Sequence, residues 1–427
     1  MQLSLFDDTT QEQPNLPSFE NKQLLYDLFQ AYYDARRNKR NTISALQFEQ
    51  NYESNLLELY EEIINRKYKI KPSVCFINYH PVQREIFAAD FRDRIVHHLV
   101  YNYISPIFER IFINDSYSCR KGKGTSYGVN RLKYIIRACS NNYQNDCYIL
   151  QLDIKGYFMA INRNLLYKKT ISVLNKFQYK TVKQASSKRK KWNDFFDFDI
   201  VFYLLKLIIF NNPVNNHIRK GNKKDWYGLP PSKSLFYSKQ DCGLPIGNLT
   251  SQLFSNIYLN DFDSWIKHKL QFKYYGRYVD DFVIVHKNKE FLKRLIPKIR
   301  NYLQENLQLE LHPKKIYLQH YLKGVEFLCA IIKPHRIYLK NRTKGSFYTT
   351  LQKWNNYIEN KPILTKQEIE KFVSSINSYH GISLQYNTFK LRKKMILKNM
   401  SVQFWDYVYF SDYKKLKIKK TGHSTQQ

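Results

Sequence analysis

Acidic residues are scarce in this sequence: 36 Asp+Glu stand against 69 Lys+Arg over 427 residues, a formal net charge of +33. Such an imbalance is a statement about partners rather than fold, and the common polyanions are nucleic acids and anionic membrane surfaces. A long apolar run is also missing. The most apolar stretch, VFYLLKLIIF at 201–210, is interrupted by Lys206, whereas a membrane span needs about 20 residues. The start, MQLSLFDDTT, lacks the basic and apolar regions of a signal peptide. The six cysteines (Cys75, Cys119, Cys139, Cys147, Cys242 and Cys329) form no CxxC pair, and no histidines stand at zinc-ligand spacing. Secretion, a disulfide framework and a structural zinc site are therefore not expected, and a reducing, cytoplasmic location without a membrane partner is. What is present is ample core material: 43% hydrophobic residues, with 35 Tyr and 28 Phe. At about 150 residues per domain, the length suggests two or three domains.

Residues 7–20, polar, acidic and Pro-containing, read as a tether. From 21 to 70 the apolar spacing is helical (Leu24, Leu28, Leu56, Leu59, Ile63). Residues 74–100 begin extended and end helical, around a charged patch of Asp90, Arg92, Asp93 and Arg94. A Gly-bearing turn at 119–128 leads to a further helix, and CYILQLD at 147–153 reads as a strand. The basic segment 179–192 is expected to be a solvated loop. A helix over 249–270, a hairpin over 273–286, a helix near 289–306 and a strand over 323–333 follow. Residues 345–398 are helical in period, and the last residues are rich in Lys. Strands mixed with helices, flanked by helical ends, indicate an α+β protein.

Two carboxylates stand out. Asp280 and Asp281 lie between the β-forming runs Tyr278-Val279 and Phe282-Val283-Ile284-Val285, at the expected tip of a hairpin. Adjacent anions against apolar strands are costly unless neutralised. A bound Mg²⁺ would do so; a solvated turn is the alternative. Asp153, at the end of the CYILQLD strand, favours the ion. Two strands presenting Asp153 beside Asp280 and Asp281 would make a site for two metals about 3.5–4 Å apart, suited to attack of a 3′-hydroxyl on an α-phosphate.

LDIKGYF at 152–158, GLPIGNLTSQ at 243–252 and YVDD at 278–281 resemble, in the expected order, the palm motifs of reverse transcriptases. The resemblance covers roughly residues 70–400. It implies a right-hand polymerase with fingers, a palm built on an antiparallel sheet, and a helical thumb. The corresponding blocks are a tether at 1–20, N-terminal helices and fingers at 21–145, a palm at 146–335 with a basic insert at 179–240, and a thumb with a Lys-rich tail at 336–427. It also implies two Mg²⁺ ions on Asp153, Asp280, Asp281 and the backbone carbonyl of Ile154. Lys315 is implied as the acid for the leaving pyrophosphate, with Lys314 competing for the part. Arg84, in PVQREIF, matches an arginine that grips the triphosphate. Phe158 matches an aromatic that rejects a ribose 2′-OH. Ile246, Gly247 and Gln252 are implied to lie at the nascent base pair. GVEFLCAII at 324–332 resembles the primer grip, with Cys329 where Gly is frequent.

The IGxxxSQ pattern (Ile246, Gly247, Gln252) and GNKKDWYGLPPSKSLF at 221–236 resemble, more narrowly, the enzymes of diversity-generating retroelements. Those bacterial or phage proteins copy a template RNA into cDNA and misread adenines. A hydrogen-bonding Gln at the nascent pair would enforce its geometry, whereas Ile246 can only pack. Implied partners are template RNA, the primer or cDNA strand, dNTPs and a small helical accessory protein. A retron, group II intron-like or phage-defence enzyme is the near alternative; a non-catalytic RNA-binding scaffold is the distant one. Basic residues interleaved with Tyr and Phe, in the 345–400 helices and the 179–192 segment, suit a nucleic-acid groove. With little chain beyond the thumb, no RNase H, endonuclease or maturase extension is expected. Gln2, Leu3, Leu5 and Phe6, in QLSLF, resemble the peptide by which bacterial replication proteins bind the sliding clamp; an ordinary disordered terminus is the alternative.

Overall fold

The computed structural model describes residues 22–37, 42–79, 82–183 and 189–419. The peptide at 2–6, the tether at 1–20 and the Ser-containing centre of the basic segment at 184–188 lie outside the described residues. Two compact units result, and neither is contiguous. One runs to Arg110 and resumes over Asn162–Phe254; the other comprises Ile111–Ile161 and Ser255–Gln427. This differs from the contiguous blocks expected at 21–145, 146–335 and 336–427. The reason is long-range pairing: residues 217–219 pair with 73–75 and the Phe87 N–H donates to the Ile246 carbonyl, which joins part of the expected palm block to the N-terminal helices.

In the first unit, α1 (Lys22–Arg36), α2 (Ile43–Gln50) and α3 (Tyr52–Ile64) pack with α4 (Phe91–Glu109). Leu24, Leu28, Ala31, Tyr32 and Ala35 line the buried face of α1, the i, i+3/i+4 stripe of an amphipathic helix. The charged patch before α4 is structural. Asp90 caps α4 by accepting from the Arg92 N–H, Arg92 pairs with Glu62, and Asp93 accepts from the Tyr68 hydroxyl and the Lys71 N–H. Strands β1 (Ser73–Asn78) and β2 (Arg84–Ala88) form an antiparallel hairpin, and β6 (His217–Arg219) joins β1 in parallel. Helices α7 (Arg163–Phe177) and α8 (Phe198–Phe210) are capped by Asn162 and Asp197. VFYLLKLIIF falls in α8, where Val201, Leu204, Leu205, Ile208 and Ile209 are buried: it is a core helix. Among the described residues no helix is long and apolar enough to cross a membrane. The arms of the basic segment are not a loop but a short hairpin, β4 (Thr181–Lys183) with β5 (Arg189–Lys191).

The second unit is built on a four-stranded antiparallel sheet. Its strands are β3 (Tyr148–Ile154), β7 (Tyr275–Tyr278), β8 (Asp281–His286) and β9 (Leu311–His320), in the order β7-β8-β3-β9. Helices α5 (Thr125–Cys139) and α10 (Lys289–Leu307) pack on it, and the single turn α6 (Tyr157–Ala160) follows β3. Helix α9 (Leu249–Ser264) starts in the first unit and ends in the second, continued by a wide helical turn over Trp265–Lys269. A second sheet, β10 (Val325–Phe327), β11 (Ala330–Lys333) and β12 (Arg336–Leu339), shares its core with α5. A separate core holds α11 (Asn341–Asn360), α12 (Lys366–Leu384) and α13 (Phe389–Asn399). Within the Lys-rich end of the sequence, the described residues make a hairpin, β13 (Val408–Ser411) with β14 (Lys415–Ile418). Lys415 and Lys417 face out while Leu416 is buried, and the Asn377 side chain bonds both the N–H and the carbonyl of Leu416. The K-L-K alternation is a strand pattern.

Candidate active site

Strand β3 places alternate residues on opposite faces, so Ile149, Gln151 and Asp153 share one face. Asp153 is the direct cross-strand partner of Asp281. Tyr278 pairs with Asp281, which makes Val279-Asp280 a two-residue hairpin turn. The three carboxylates therefore gather at one end of the sheet, two on paired strands and the third on the adjoining turn. Gln151, one step back on the same face, donates to both Asp281 oxygens at 3.0 and 3.3 Å. Burial, together with the charges of Asp280 and Asp153, pushes the Asp281 carboxyl up to about 7 despite the Gln151 hydrogen bond.

Lys315 reaches this group from β9, its Nζ lying 3.0 Å from the Asp153 carboxylate. The β9 register explains how. Leu152 pairs with Ile316 but Ile154 pairs with Leu311, so four residues of β9, His312 to Lys315, stand opposite Asp153 alone. Pro313 has no N–H for the ladder, and the irregularity delivers Lys315 to the carboxylate. The backbone N–H of Lys314 donates to the His312 ring at 3.2 Å. Phe158 is half-buried on α6 in edge contact with Tyr157, whose hydroxyl donates to the Ser255 carbonyl at 2.5 Å.

The turn itself is braced from below. Arg277 is fully buried, and its guanidinium donates to both oxygens of Asp263 at 2.8 and 2.7 Å. The same group donates to Ser116 Oγ at 3.2 Å, to Asn256 Oδ1 at 3.3 Å and to the Val279 carbonyl at 2.8 Å. Its planar fork suits this bidentate geometry. Val279 takes a φ of +57°, at a hairpin position where Gly is favoured and a β-branched residue is strained. Gly276, one residue before Arg277, lies against Tyr117 so closely that a Cβ there would collide with the ring.

Among the described residues no three His, Cys, Asp or Glu side chains already converge as metal ligands; Asp153 turns to Lys315 and Asp281 to Gln151. The donor set nonetheless fits a hard divalent cation. It consists of carboxylates, and burial beside Asp280 and Asp153 raises the Asp281 carboxyl, a cost that a bound cation would relieve. Ile154, whose carbonyl was the remaining expected ligand, is buried at the end of β3.

The other expected nucleotide-binding residues belong to the first unit. Arg84 is exposed at the first position of β2. The Phe87 N–H donates to the Ile246 carbonyl at 2.9 Å, and the Ala89 N–H to the Asn248 side chain at 3.1 Å. The GLPIGNLTSQ loop is thus fastened along β2. Gly247 has a φ of +128°, and a Cβ there would press on Ile86 and the Phe87 carbonyl, so this close approach requires Gly. Ile246 is half-buried, and Gln252 is exposed on α9. In the primer-grip-like hairpin the left-handed residue is Leu328 (φ +54°) rather than Cys329, whose Sγ lies 2.9 Å from the Tyr386 hydroxyl.

Sequence reasoning missed Gln151, Arg277, Asp263 and Asn248. A polar Gln inside the apolar run YILQLDI was a visible signal. Arg277 and Asp263 carried none, since two opposite charges 14 positions apart look like surface residues.

Protein YkfC of Escherichia coli (strain K12) is 23% identical over 286 residues, which is 60% of this chain and 63% of that protein, so the match spans less than two thirds of the relative. Solved structures similar to the chain include two of telomerase from Candida tropicalis. The apo form is 13% identical with a TM-score of 0.43, covering 91% of this chain and 79% of that one. The apo form truncated from its C-terminal domain is 14% identical with a TM-score of 0.41, covering 67% and 60%. Residues 83–332, more than half of the chain and spanning all three palm-like motifs, match the family described as reverse transcriptase (RNA-dependent DNA polymerase). On that match the chain belongs to the reverse transcriptase family, and with it to the right-hand polymerases.

Proposed function

We propose that this protein is an RNA-directed DNA polymerase that extends a primer by nucleotidyl transfer at Asp153, Asp280 and Asp281. The pairing of Asp153 with Asp281 across β3 and β8, with Asp280 on the adjoining turn, carries the reading. Three anions delivered together by a buried sheet are costly to folding and useful to metal-dependent phosphoryl chemistry. The three side chains and the Ile154 carbonyl would hold two Mg²⁺ ions, which when bound lower the pKa of a 3′-hydroxyl and neutralise the triphosphate. Lys315, beside Asp153, holds a proton for the departing pyrophosphate. Gln151 orients Asp281, and Arg277 orients the turn. Arg84 offers a guanidinium fork to phosphate oxygens, and Phe158 presents a ring against a 2′-hydroxyl. Template RNA, the primer or cDNA strand and dNTPs are the partners.

Within the family we assign the chain to the diversity-generating retroelements of bacteria or phages, on IGxxxSQ and the 221–236 stretch. Error-prone copying at template adenines is the corresponding activity, with Ile246 packing where a hydrogen-bonding side chain would enforce pair geometry. Extension of a DNA primer on an RNA template with dNTPs and Mg²⁺ tests the reading. Wild type is expected to make cDNA and to reject rNTPs, and Phe158→Ala to admit them. No cDNA from wild type overturns the polymerase; unchanged rNTP rejection in Phe158→Ala overturns the role of that residue.

A further inference from the structure

Between β6 and α9 the chain carries no regular element longer than a single turn, yet it is firmly held. Glu85 on β2 is buried, and its carboxylate accepts three hydrogen bonds: from Trp226 Nε1 at 2.7 Å, Ser234 Oγ at 2.8 Å and the Leu235 N–H at 2.6 Å. Gln83 donates to the Asp225 and Tyr227 carbonyls at 2.8 and 3.1 Å, and the Tyr79 hydroxyl to the Asp225 carboxylate at 3.0 Å. Phe236 packs on Phe87 and His217. The segment is a rigid plate laid on the β1–β2 hairpin.

The plate encloses a cleft of about 430 Å³ lined chiefly by Arg219, Lys223, Trp226, Leu229, Phe236 and Tyr237. Tyr237 is 72% exposed, and Tyr227 and Tyr79 nearby are 77% and 51% exposed. Around them Arg219, Lys220, Lys223, Lys224, Lys233 and Lys239 are all exposed. The acids among them are occupied: Glu85 by its three donors, and Asp225 by Tyr79 and the Asn222 N–H. Exposed aromatic rings set among cations have one ligand chemistry in common. Planar bases stack on the rings, and the phosphates between them meet the cations. We infer that this plate is a binding site for single-stranded RNA, one base entering the cleft against Tyr237 and the flanking phosphates lying on Arg219 and Lys223. The inference rests on the polymerase reading for the choice of strand, since the template is the strand still unpaired when it is to be copied.

Fluorescence anisotropy of the full chain with labelled ten-nucleotide RNA and DNA single strands and a blunt duplex, without dNTPs, tests this separately from catalysis. Tyr237→Ala is expected to weaken RNA single-strand binding about tenfold, the loss of one stacked base. Tyr237→Phe is expected to restore it, and the duplex to be little affected. Arg219→Ala with Lys223→Ala should flatten the salt dependence by about two phosphates. Asp280→Asn/Asp281→Asn should bind RNA as wild type does, so a lack of cDNA synthesis and a lack of strand binding are distinguishable. Unchanged RNA affinity in Tyr237→Ala overturns the site. So does an equal loss on the duplex, or a loss confined to the DNA strand.

Discussion

Asp281 bears the largest electrostatic load of the candidate active-site residues. Its carboxyl is pushed up to about 7 by burial and by its two acidic neighbours. A carboxyl raised in this way binds its proton more tightly folded than unfolded, so stability falls as pH rises from the ordinary carboxylate range toward 7. Asp281→Asn removes that cost. In metal-free buffer it is expected to be more stable than wild type by on the order of 2–4 kcal/mol at pH 8. In urea titrations the advantage should grow between about pH 4 and pH 7 and level off above; a pH-independent difference would contradict the assignment. Arg277 acts through the turn rather than on substrate. Arg277→Lys keeps the charge but loses the fork that joins Asp263 to the Val279 carbonyl. Misplacing the turn by a fraction of an ångström should lower kcat about 10- to 100-fold while KM for dNTP stays within about twofold. A raised KM with unchanged kcat would instead make Arg277 a binding residue. Arg277→Met, which leaves the buried Asp263 without its charge partner and with only the Tyr275 hydroxyl donating to it, is expected to cost about 3–5 kcal/mol in stability.

At the scale of elements, the β7–β8 hairpin is held in a conformation its own sequence does not favour. Val279 is left-handed, a cost of order 1–3 kcal/mol offset by the anchor beneath it. Gly276 lets Tyr117 and the 115–117 segment close on β7, where the Tyr117 N–H donates to the Arg277 carbonyl and the Arg277 N–H to the Asp115 carbonyl. Gly276→Ala is therefore expected to destabilise by about 2 kcal/mol or more and to lower activity with it. Tyr117→Phe would leave the ring in place and should not rescue the variant, whereas a smaller residue at 117 should; stability of the double variant is the measurement. The hairpin was legible in the sequence because apolar β-forming runs flank an acidic pair. The reach of Lys315 was not, because Pro313 and the basic residues of LHPKKIYL disguise a ten-residue strand. The 179–192 arms and the Lys-rich hairpin at the end were hidden likewise, their strand pattern masked by charge.

For the whole molecule, the motifs identified the family and the sheet, but not how the chain is divided. Both units are assembled from two separated stretches, and such a division depends on pairings over more than a hundred residues that no local periodicity records. The charge of +33 is likewise a property of the whole chain: it suits a polyanionic partner, and in the proposed function the half-buried acids at the end of the sheet would give that attraction a chemical use. Asp153, Asp280, Asp281, Asp263 and Glu85 are few among 36 acidic residues, yet they form the candidate catalytic centre, its brace and the anchor of the proposed RNA plate. The most direct test is single-nucleotide incorporation on a primed RNA template with Mg²⁺, followed under single turnover in wild type and in Asp153→Asn. Wild type is expected to add dNTP, and Asp153→Asn to be slower by at least about 10³-fold, as when an interaction specific to the transition state is removed. Incorporation by Asp153→Asn within about tenfold of wild type, or none by wild type, would contradict the account.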